Sequence, residues 1–498
     1  MRLAASFVLL TAGFAAAQKP AAELTPHPPA PEPHDVLLPN SALMTPFAQQ
    51  VPVVFQTRNQ NAKAWDALKG FWNDETETVL DPTTGKQVAR KVVKLKVPLG
   101  LSQAPPVPLE NPMTLAKWEL GKKLYFDPIL SSNRTVSCAT CHAPVKGFTD
   151  QSKTSTGING GIGGMNAPTV LNSAYNRFQF WDGRAASLEE QSQGPPGNPV
   201  EMFADPKGDP WEGAVRRMRA TPEYVEAFKT VFGHAPTRDA AAKAVAAYER
   251  TVLTGNSLYD RAEVAMRKRF AEEESKPEQN ATDYAVILKE ALAAMDPAAK
   301  HVGVTEPKGI EPVAKKLANG RTLFFGKARC SNCHVGDNFT DNAFHNLGVG
   351  VKDGKVPTDA TGRFAAQPTG HKNPAEYGAF KTPGLRGLLG TAPYLHDGSE
   401  KTLEAVIDLY DKGGNVNEFL DAKMRDQTAE AEYLKAKAEG KTPTLPTGAI
   451  LTRGGAPIIP FLLKLTPEEK ADLVLFMKAL EGDPVDPTVA DPKWFPKK

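Results

Sequence analysis

Two copies of one five-residue motif contain every cysteine of this chain. They are Cys138-Ala139-Thr140-Cys141-His142 and Cys330-Ser331-Asn332-Cys333-His334, and the sequence has 4 cysteines in 498 residues. This is the spacing of c-type haem attachment, in which two thiols bind the vinyl groups of one haem and the adjacent imidazole binds the iron. The sequence therefore predicts two covalent haems, with attachment residues Cys138, Cys141, Cys330 and Cys333 and iron ligands His142 and His334.

Paired cysteines have two other roles in proteins. One Cys-x-x-Cys pair can be a redox dithiol, and two pairs can share a zinc ion. Neither role explains a histidine directly after each second cysteine, so haem attachment is the favoured interpretation. Since no cysteine remains for a disulfide, packing around the cofactors has to stabilise the fold.

The start of the chain has the pattern of a secretory signal peptide over residues 1–17. Arg2 is followed by an apolar run over 3–14 and by three alanines that end at Ala17, after which we expect cleavage. The apolar run is too short to span a bilayer, and no later segment is predicted to do so. Because haem is attached to such thiols outside the cytoplasm, we expect a mature protein in the periplasm.

Composition limits the class of protein further. A hydrophobic fraction of 41% over 498 residues is enough for a sizeable core and for two or three domains. The formal net charge of +2 gives no case for binding nucleic acid.

A short internal repeat organises the chain around the two motifs. Residues 121–126 precede the first motif and Phe148-Thr149-Asp150 follows it, whereas residues 320–325 and Phe339-Thr340-Asp341 bracket the second. The repeat predicts a mainly α fold of two cytochrome c-like haem domains with long irregular connections. The expected divisions are the signal peptide (1–17), an N-terminal extension (18–110), the two haem domains (111–270 and 271–485) and a C-terminal tail (486–498).

Several local patterns predict structure outside the motifs. Residues 19–39 contain seven prolines and indicate an extended tether, with a docking segment as the alternative. A short helix is predicted within 62–72, but residues 41–108 receive no role. A capping box at Thr466 predicts a helix that stops at Gly482, and further helices are predicted over 239–253 and 403–410. The charged stretches 261–318 and 415–440 are expected to be solvated insertions, with partner docking as the alternative.

Several further motifs recur in one order along the chain. They are Gly164-Met165-Asn166-Ala167-Pro168-Thr169-Val170-Leu171-Asn172, Phe180-Trp181-Asp182-Gly183-Arg184-Ala185, the stretch 194–202, Thr361-Gly362-Arg363-Phe364 and Thr391-Ala392-Pro393-Tyr394-Leu395-His396-Asp397-Gly398. From about 114 to 483 the chain resembles the bacterial diheme cytochrome c peroxidases and the related MauG-type diheme oxidases.

The resemblance implies a role for each haem. His142 would hold the peroxidatic haem and His334 the electron-transfer haem. Glu201 matches the family's catalytic carboxylate, which moves a proton between the two peroxide oxygens, and Gln191 matches the amide beside it. Trp181 matches the tryptophan between the haems, and it is also a candidate for a large aromatic that supports the domain interface. Without the resemblance, Glu201 would pass for a surface carboxylate.

The resemblance also implies a calcium site between the domains. Asn166 and the backbone carbonyls of Thr391 and Pro393 match its ligands, and such neutral oxygen donors suit Ca²⁺ completed by water.

Three positions depart from the family pattern. Ile158 aligns with a histidine that closes the first haem in many relatives, so gating by that ligand is not expected. Met165 replaces a common arginine partner of a haem propionate. Tyr410 aligns with the distal methionine of the second haem, as in the MauG-type oxidases, and a phenolate ligand favours ferric iron. A packed tyrosine with its hydroxyl bonded elsewhere is the alternative, and Met424 is a weaker candidate ligand.

The first predicted function is reduction of hydrogen peroxide with electrons from a small cytochrome c or cupredoxin. The second is oxidation of side chains in a partner protein, as in the MauG-type oxidases, which Tyr410 and Ile158 favour. The third is a diheme electron-transfer cytochrome, against which Glu201 and Gln191 argue, since an electron carrier needs no acid or base. A homodimer is one option for the assembly.

Overall fold

The computed structural model describes residues 50–80, 85–203, 208–273 and 276–494. The expected signal peptide and the proline-rich tether over 19–39 lie outside the described residues. The described chain is mainly helical, as predicted, with long irregular connections. None of its described helices combines the length and the apolar character that crossing a bilayer requires.

Ten helices of nine residues or more form the framework of the described chain. They are α1 (Leu115–Phe126), α2 (Pro210–Arg219), α3 (Pro222–Phe232), α4 (Arg238–Glu249), α5 (Leu258–Glu273), α6 (Ala281–Ala293), α7 (Ile310–Phe325), α8 (Leu403–Asp411), α9 (Gln427–Ala438) and α10 (Pro467–Lys478). Shorter α-helices are Ala62–Ala67, Cys138–Cys141, Leu188–Gln191, Gly194–Gly197, Pro297–His301, Arg363–Ala366 and Pro487–Ala490.

The predicted helices are found where the local signals placed them. In α10 the Thr466 hydroxyl accepts a hydrogen bond from Glu469 N, and the Glu469 carboxylate accepts one from Thr466 N. This reciprocal pair is the predicted capping box. The expected helices over 239–253 and 403–410 are α4 and α8. The helix expected within 62–72 ends earlier, at Ala67, because Trp72 starts a strand.

A three-stranded sheet occupies much of the region that received no role from the sequence. It consists of β1 (Val53–Gln56), β2 (Trp72–Leu80) and β3 (Gln87–Lys96), in the order β1-β3-β2. β3 pairs in parallel with β1 and antiparallel with β2. Buried apolar residues of the sheet pack with Trp118 of α1 in one core cluster. Two-residue strands also pair, β4 (Phe344–His345) with β5 (Phe380–Lys381) and β6 (Ile450–Leu451) with β7 (Pro457–Ile458).

The sequence repeat corresponds to two helix pairs that cross at a glycine. A Cβ on Gly121 of α1 would lie 1.8 Å from the carbonyl oxygen of Ala244 in α4. A Cβ on Gly320 of α7 would lie 2.1 Å from the carbonyl oxygen of Asp472 in α10. Only glycine allows the two backbones to approach this closely. The α1/α4 pair and the α7/α10 pair are therefore equivalent, and Ala244 corresponds to Asp472.

The stretch 261–318 was expected to be a solvated insertion, and this expectation is wrong. Its helices α5, α6 and α7 bury a separate core that includes Tyr284, Leu288 and Leu317. Apart from the buried Asp260 and Asp283, the described charged residues of these helices are partly or fully exposed, and these charges make the sequence resemble a solvated helix. Helix α9 is solvated as expected, with Glu430 its one buried residue. Residue 270, the expected end of the first haem domain, lies inside α5.

The C-terminal tail packs back onto α1. Val489 is fully buried in the same core as Trp118. The Lys122 ammonium donates hydrogen bonds to the carbonyl oxygens of Thr488 and Trp494 at 2.6 and 2.7 Å. We call the α1/α4 pair with the first cysteine motif the first unit, and the α7/α10 pair with the second motif the second unit. The described part of the tail therefore packs as part of the first unit.

Candidate active site

The first motif forms a short helix that ends at its histidine. Cys138–Cys141 is helical, and His142 is the residue at its C-terminal cap. The Nδ1 atom of His142 lies 3.3 Å from the carbonyl oxygen of Phe148, a buried residue with φ of 56°. An imidazole that donates from Nδ1 has its Nε2 lone pair available for iron.

The second motif holds its histidine in the same way. Cys330–Asn332 forms a 3₁₀ turn, and His334 is buried. The Nδ1 atom of His334 lies 2.9 Å from the carbonyl oxygen of Phe339, whose φ is 52°. Both motifs thus place two thiols and one oriented imidazole together, which fits c-type haem.

Each motif histidine borders its own cavity. The first cavity, of about 310 Å³, is lined by His142 together with Glu201, Gln191 and Glu249. The second cavity, of about 230 Å³, is lined by His334 and Tyr410 among mostly apolar residues. Among the described residues that line the second cavity there is no aspartate or glutamate. Among the described lining residues, carboxylates are therefore confined to the first cavity.

Glu201 lies in the first cavity with a restrained side chain. Its Oε1 atom accepts a hydrogen bond of 2.6 Å from Nδ2 of Asn198. Burial raises the pKa of the Glu201 carboxyl, while Arg184 and the Asn198 hydrogen bond lower it. A carboxyl with a raised pKa can both accept and return a proton near neutral pH. The structure thus brings Glu201, Gln191 and His142 to one cavity.

A tight loop places Ile158 beside Glu201. The backbone N–H of Ile158 donates to the carbonyl oxygen of Glu201 at 2.9 Å, and the Ile158 side chain is 2% exposed. A Cβ on Gly157 would lie 2.1 Å from the carbonyl oxygen of Val200, so the loop requires glycine there. The position that aligns with a gating histidine thus carries a buried aliphatic group.

Trp181 lies between the two cavities and lines both. Its Nε1 donates a hydrogen bond of 2.9 Å to the carbonyl oxygen of Asn166. Its own carbonyl oxygen accepts a hydrogen bond of 2.7 Å from the backbone N–H of Lys381. Trp181 is therefore held by the loop that contains Asn166 and by strand β5.

Tyr410 projects from α8 into the second cavity, where His334 also lies. Its hydroxyl makes no hydrogen bond to any described residue. Burial raises the pKa of Tyr410. Met424 lies in a 3₁₀ turn and does not line this cavity. The geometry therefore favours Tyr410 over Met424, and it gives no support to a hydroxyl bonded elsewhere.

The residues expected at the calcium site come from two loops that meet. The backbone N–H of Asn166 donates to the carbonyl oxygen of His396 at 2.8 Å, and Nδ2 of Asn166 donates to the carbonyl oxygen of Ser152 at 2.8 Å. Asn166, Thr391 and Pro393 all line the second cavity. Neutral oxygen donors of this kind suit Ca²⁺.

Three residues of the cavities were missed from the sequence. Asn198 belongs to a quoted motif but received no role, although it restrains Glu201. Glu249 and Lys381 are 6% and 8% exposed, yet a single charged residue in a helix or strand resembles a surface residue. The repeat contains the missing signal for Glu249, because Glu249 is equivalent to the cavity residue Met477 in the crossing helix pairs.

The fold and the paired motifs thus define a class of proteins with two c-type haem sites. The family described as di-haem cytochrome c peroxidase matches residues 115–268. The chain is 31% identical over 412 residues to cytochrome-c peroxidase IdrP1 of Pseudomonas sp. (strain SCT), covering 77% of this chain and 86% of that protein. It is 33% identical over 366 residues to the methylamine utilization protein MauG of Methylorubrum extorquens, covering 71% of this chain and 88% of that protein.

A solved structure has the same fold. The crystal structure of a MauG-like protein associated with microbial copper homeostasis matches with a TM-score of 0.55 and 26% sequence identity. The match covers 79% of this chain and 97% of the other. This chain therefore belongs to the di-haem cytochrome c peroxidase family, which includes the MauG proteins.

Proposed function

We propose that this protein reduces hydrogen peroxide to two molecules of water. The reaction takes up two electrons and two protons, and the electrons come one at a time from a small cytochrome c or cupredoxin. The observation that carries the proposal is the position of Glu201, which shares a cavity with the iron-ligand candidate His142 and has a pKa raised by burial. A pure electron carrier has no use for such a group.

The protein residues of the first cavity have distinct tasks. A haem held by Cys138, Cys141 and His142 would supply the iron that binds peroxide and the electrons that cleave the O–O bond. Glu201 takes the proton from one peroxide oxygen and returns it to the other, which then leaves as water. Asn198 holds the Glu201 carboxylate through Oε1. Gln191 lines the same cavity and is placed to orient the peroxide.

The second unit accepts the electrons and passes them on through Trp181. This assignment is supported by the absence of acidic side chains among the described residues that line its cavity, and by Tyr410, a second iron-ligand candidate that lines the same cavity as His334. The proposed haem domains are the expected 111–270 and 271–485, with their boundary moved to the start of α5 at Leu258 so that no helix is divided. A calcium ion held by Asn166, Thr391 and Pro393 would fix the loops between them. We further propose export to the periplasm, directed by residues 1–17.

Steady-state peroxide consumption with a reduced cytochrome c tests the proposal. Reduced donor should be oxidised in a two-to-one ratio to peroxide, and the purified protein should have the mass of the chain plus two haems. A chain with two haems that exchanges electrons with the donor but leaves peroxide unconsumed would instead be an electron-transfer cytochrome. Zinc in place of haem would contradict both assignments.

Oxidation of a partner protein is the second candidate function. One observation favours it, because the Tyr410 hydroxyl is unbonded in the second cavity and suits a tyrosine ligand that stabilises oxidised iron. The test is incubation with peroxide and a co-expressed protein from the same cell, followed by mass spectrometry. Loss of hydrogens or gain of oxygen in one protein, dependent on Glu201, would establish this function.

A further inference from the structure

Lys381 is a buried cation in the second cavity. It lies in β5, its side chain is 8% exposed, and it lines the same cavity as His334 and Tyr410. Lysine is almost never buried without an anionic partner, because burial removes the water that solvates the ammonium. Its environment therefore requires an explanation.

No described residue supplies the missing partner. The Lys381 ammonium makes no hydrogen bond or ion pair with any of them, and the cavity has no acidic side chain among its described lining residues. Burial lowers the pKa of Lys381 to about 8, and no neighbouring carboxylate raises it. The other cations of this cavity are already paired, Arg386 with Asp260 at 2.6 Å and His345 with Asp421 at 2.7 Å. An anion has to come from a group that binds in the cavity.

The position of Lys381 within the repeat indicates which haem it serves. The backbones of Pro168 and Pro383 each contact the histidine of their own motif, so the two prolines are equivalent. Lys381 lies two residues before Pro383 and is therefore equivalent to Asn166, two residues before Pro168. The left-handed residues Asn172 and Gly387, with φ of 55° and 75°, follow in the same register. Asn166 lines both cavities, whereas Lys381 lines only the second.

We infer that Lys381 is the partner of a propionate of the second haem. The inference rests on the proposed attachment of two haems. A haem carries two carboxylates on the edge opposite its thioether bonds, and one such carboxylate would provide the anion that the cavity lacks. The pair also affects electron transfer, because a cation beside a propionate favours the reduced haem over the oxidised one.

The test compares Lys381→Met, which keeps the length of the side chain, with Lys381→Arg, which keeps its charge. Spectroelectrochemistry should resolve the midpoint potentials of the two haems. We expect Lys381→Met to lower the potential of the second haem while the first haem changes much less, and Lys381→Arg to remain close to the wild type. Resonance Raman bands of the second-haem propionate should shift in Lys381→Met only. Where Lys381→Met does not accumulate, Lys381→Gln provides the same comparison.

The outcomes separate this inference from the proposed function. Equal potentials in wild type and Lys381→Met, with both haems present by mass, would overturn the inference and leave the peroxidase proposal intact. A shift confined to the first haem would also overturn it. Absence of a haem at Cys330 and Cys333 in the wild-type protein would instead contradict the proposed function.

Discussion

The two units of this protein share a framework and differ in the side chains that face their cavities. Each has a helix pair that crosses at a glycine, Gly121 in one and Gly320 in the other. Each orients its motif histidine through a phenylalanine carbonyl, at 3.3 Å in the first unit and 2.9 Å in the second. The shared backbone therefore determines where each haem site lies, and the side chains that differ between the two cavities determine its chemistry.

Equivalent positions show how the units were specialised. Glu249 faces the first cavity where Met477 faces the second. A polar, acidic first cavity suits proton transfer, whereas an apolar second cavity suits electron transfer, which needs no proton acceptor. By the register of the proline loops, Leu171 of the first unit corresponds to Arg386, which the second unit buries with Asp260. The second unit thus uses a buried ion pair where the first uses an aliphatic residue.

The largest expected effect tests whether acid-base chemistry belongs to the first unit. Glu201→Gln keeps the volume and a hydrogen bond to Asn198 but cannot accept a proton, so peroxide O–O cleavage should slow about a hundredfold to ten-thousandfold. Stopped-flow absorbance after mixing with peroxide measures this rate. The haem spectra should stay close to those of the wild type.

A matched control separates chemistry from general charge effects. Glu212 lies on an exposed part of α2, and Glu212→Gln should leave the rate unchanged. Because burial raises the pKa of Glu201, the wild-type rate should fall on the acidic side at a pH above the ordinary carboxyl value of 4.5. Loss of this acidic limb is expected in Glu201→Gln. Near wild-type cleavage in that variant would remove Glu201 from the mechanism.

The next effect tests the ion pair that Arg386 of the second unit makes with Asp260. Asp260 and Arg386 are each 2% exposed at the side chain and join through two contacts, of 2.6 and 2.8 Å. Asp260→Asn leaves a buried guanidinium without its counter-charge, so the free energy of unfolding should fall by about 3 to 5 kcal/mol. Urea denaturation measures it.

An exposed pair provides the comparison. Asp239→Asn breaks the surface contact with Lys243 in α4 and should cost at most about 1 kcal/mol. Equal losses in Asp260→Asn and Asp239→Asn would show that the second unit does not depend on its buried pair.

A pH-dependent effect on stability tests the acidic character of the first cavity. Burial raises the pKa of Glu249 from 4.5 to about 8, although Arg250 lowers it. Between pH 4.5 and about pH 8, Glu249 is therefore protonated more in the folded protein than in the unfolded chain. Over this pH range the free energy of unfolding should fall as pH rises, by about 1.4 kcal/mol per pH unit from Glu249 alone.

Glu249→Gln should remove this dependence. The urea midpoint of the variant should change less between about pH 5 and pH 8 than that of the wild type. The exposed Glu223 of α3 provides the matched control, since Glu223→Gln should leave the pH dependence of the free energy of unfolding as it is in the wild type. An unchanged slope in Glu249→Gln would mean that Glu249 is ionised in the folded protein.

The elements predicted from the sequence are those with local signals. The haem motifs depend on five adjacent residues, and α10 begins with a capping box within four residues. The sheet was not predicted, because β2 alternates acidic residues with threonines and β3 mixes lysine and arginine with valine and leucine. In addition, β1 pairs with β3 across about forty residues of sequence, as in Val53 with Val93. Long-range pairing of this kind leaves little trace in a short window.

The site was predicted where the family motifs are specific and missed where a charge is buried. Glu201, Gln191 and Trp181 were proposed from motifs, and the structure brings them to the cavities. Glu249 and Lys381 were missed because burial, which shifts the pKa of each side chain, is a property of the folded chain and not of the local sequence. The core of α5, α6 and α7 was missed for the related reason that its outer faces are charged.

The most direct test of specialisation is electron paramagnetic resonance of the ferric protein, compared between wild type and Tyr410→Phe. In the wild type, the first haem should be high-spin and bind cyanide without prior reduction, since Ile158 supplies no ligand. The second haem should be low-spin, with His334 and Tyr410 as ligands, and only its signal should change in Tyr410→Phe. Two low-spin haems that resist cyanide, or an unchanged second signal in Tyr410→Phe, would contradict the division of roles between the two units.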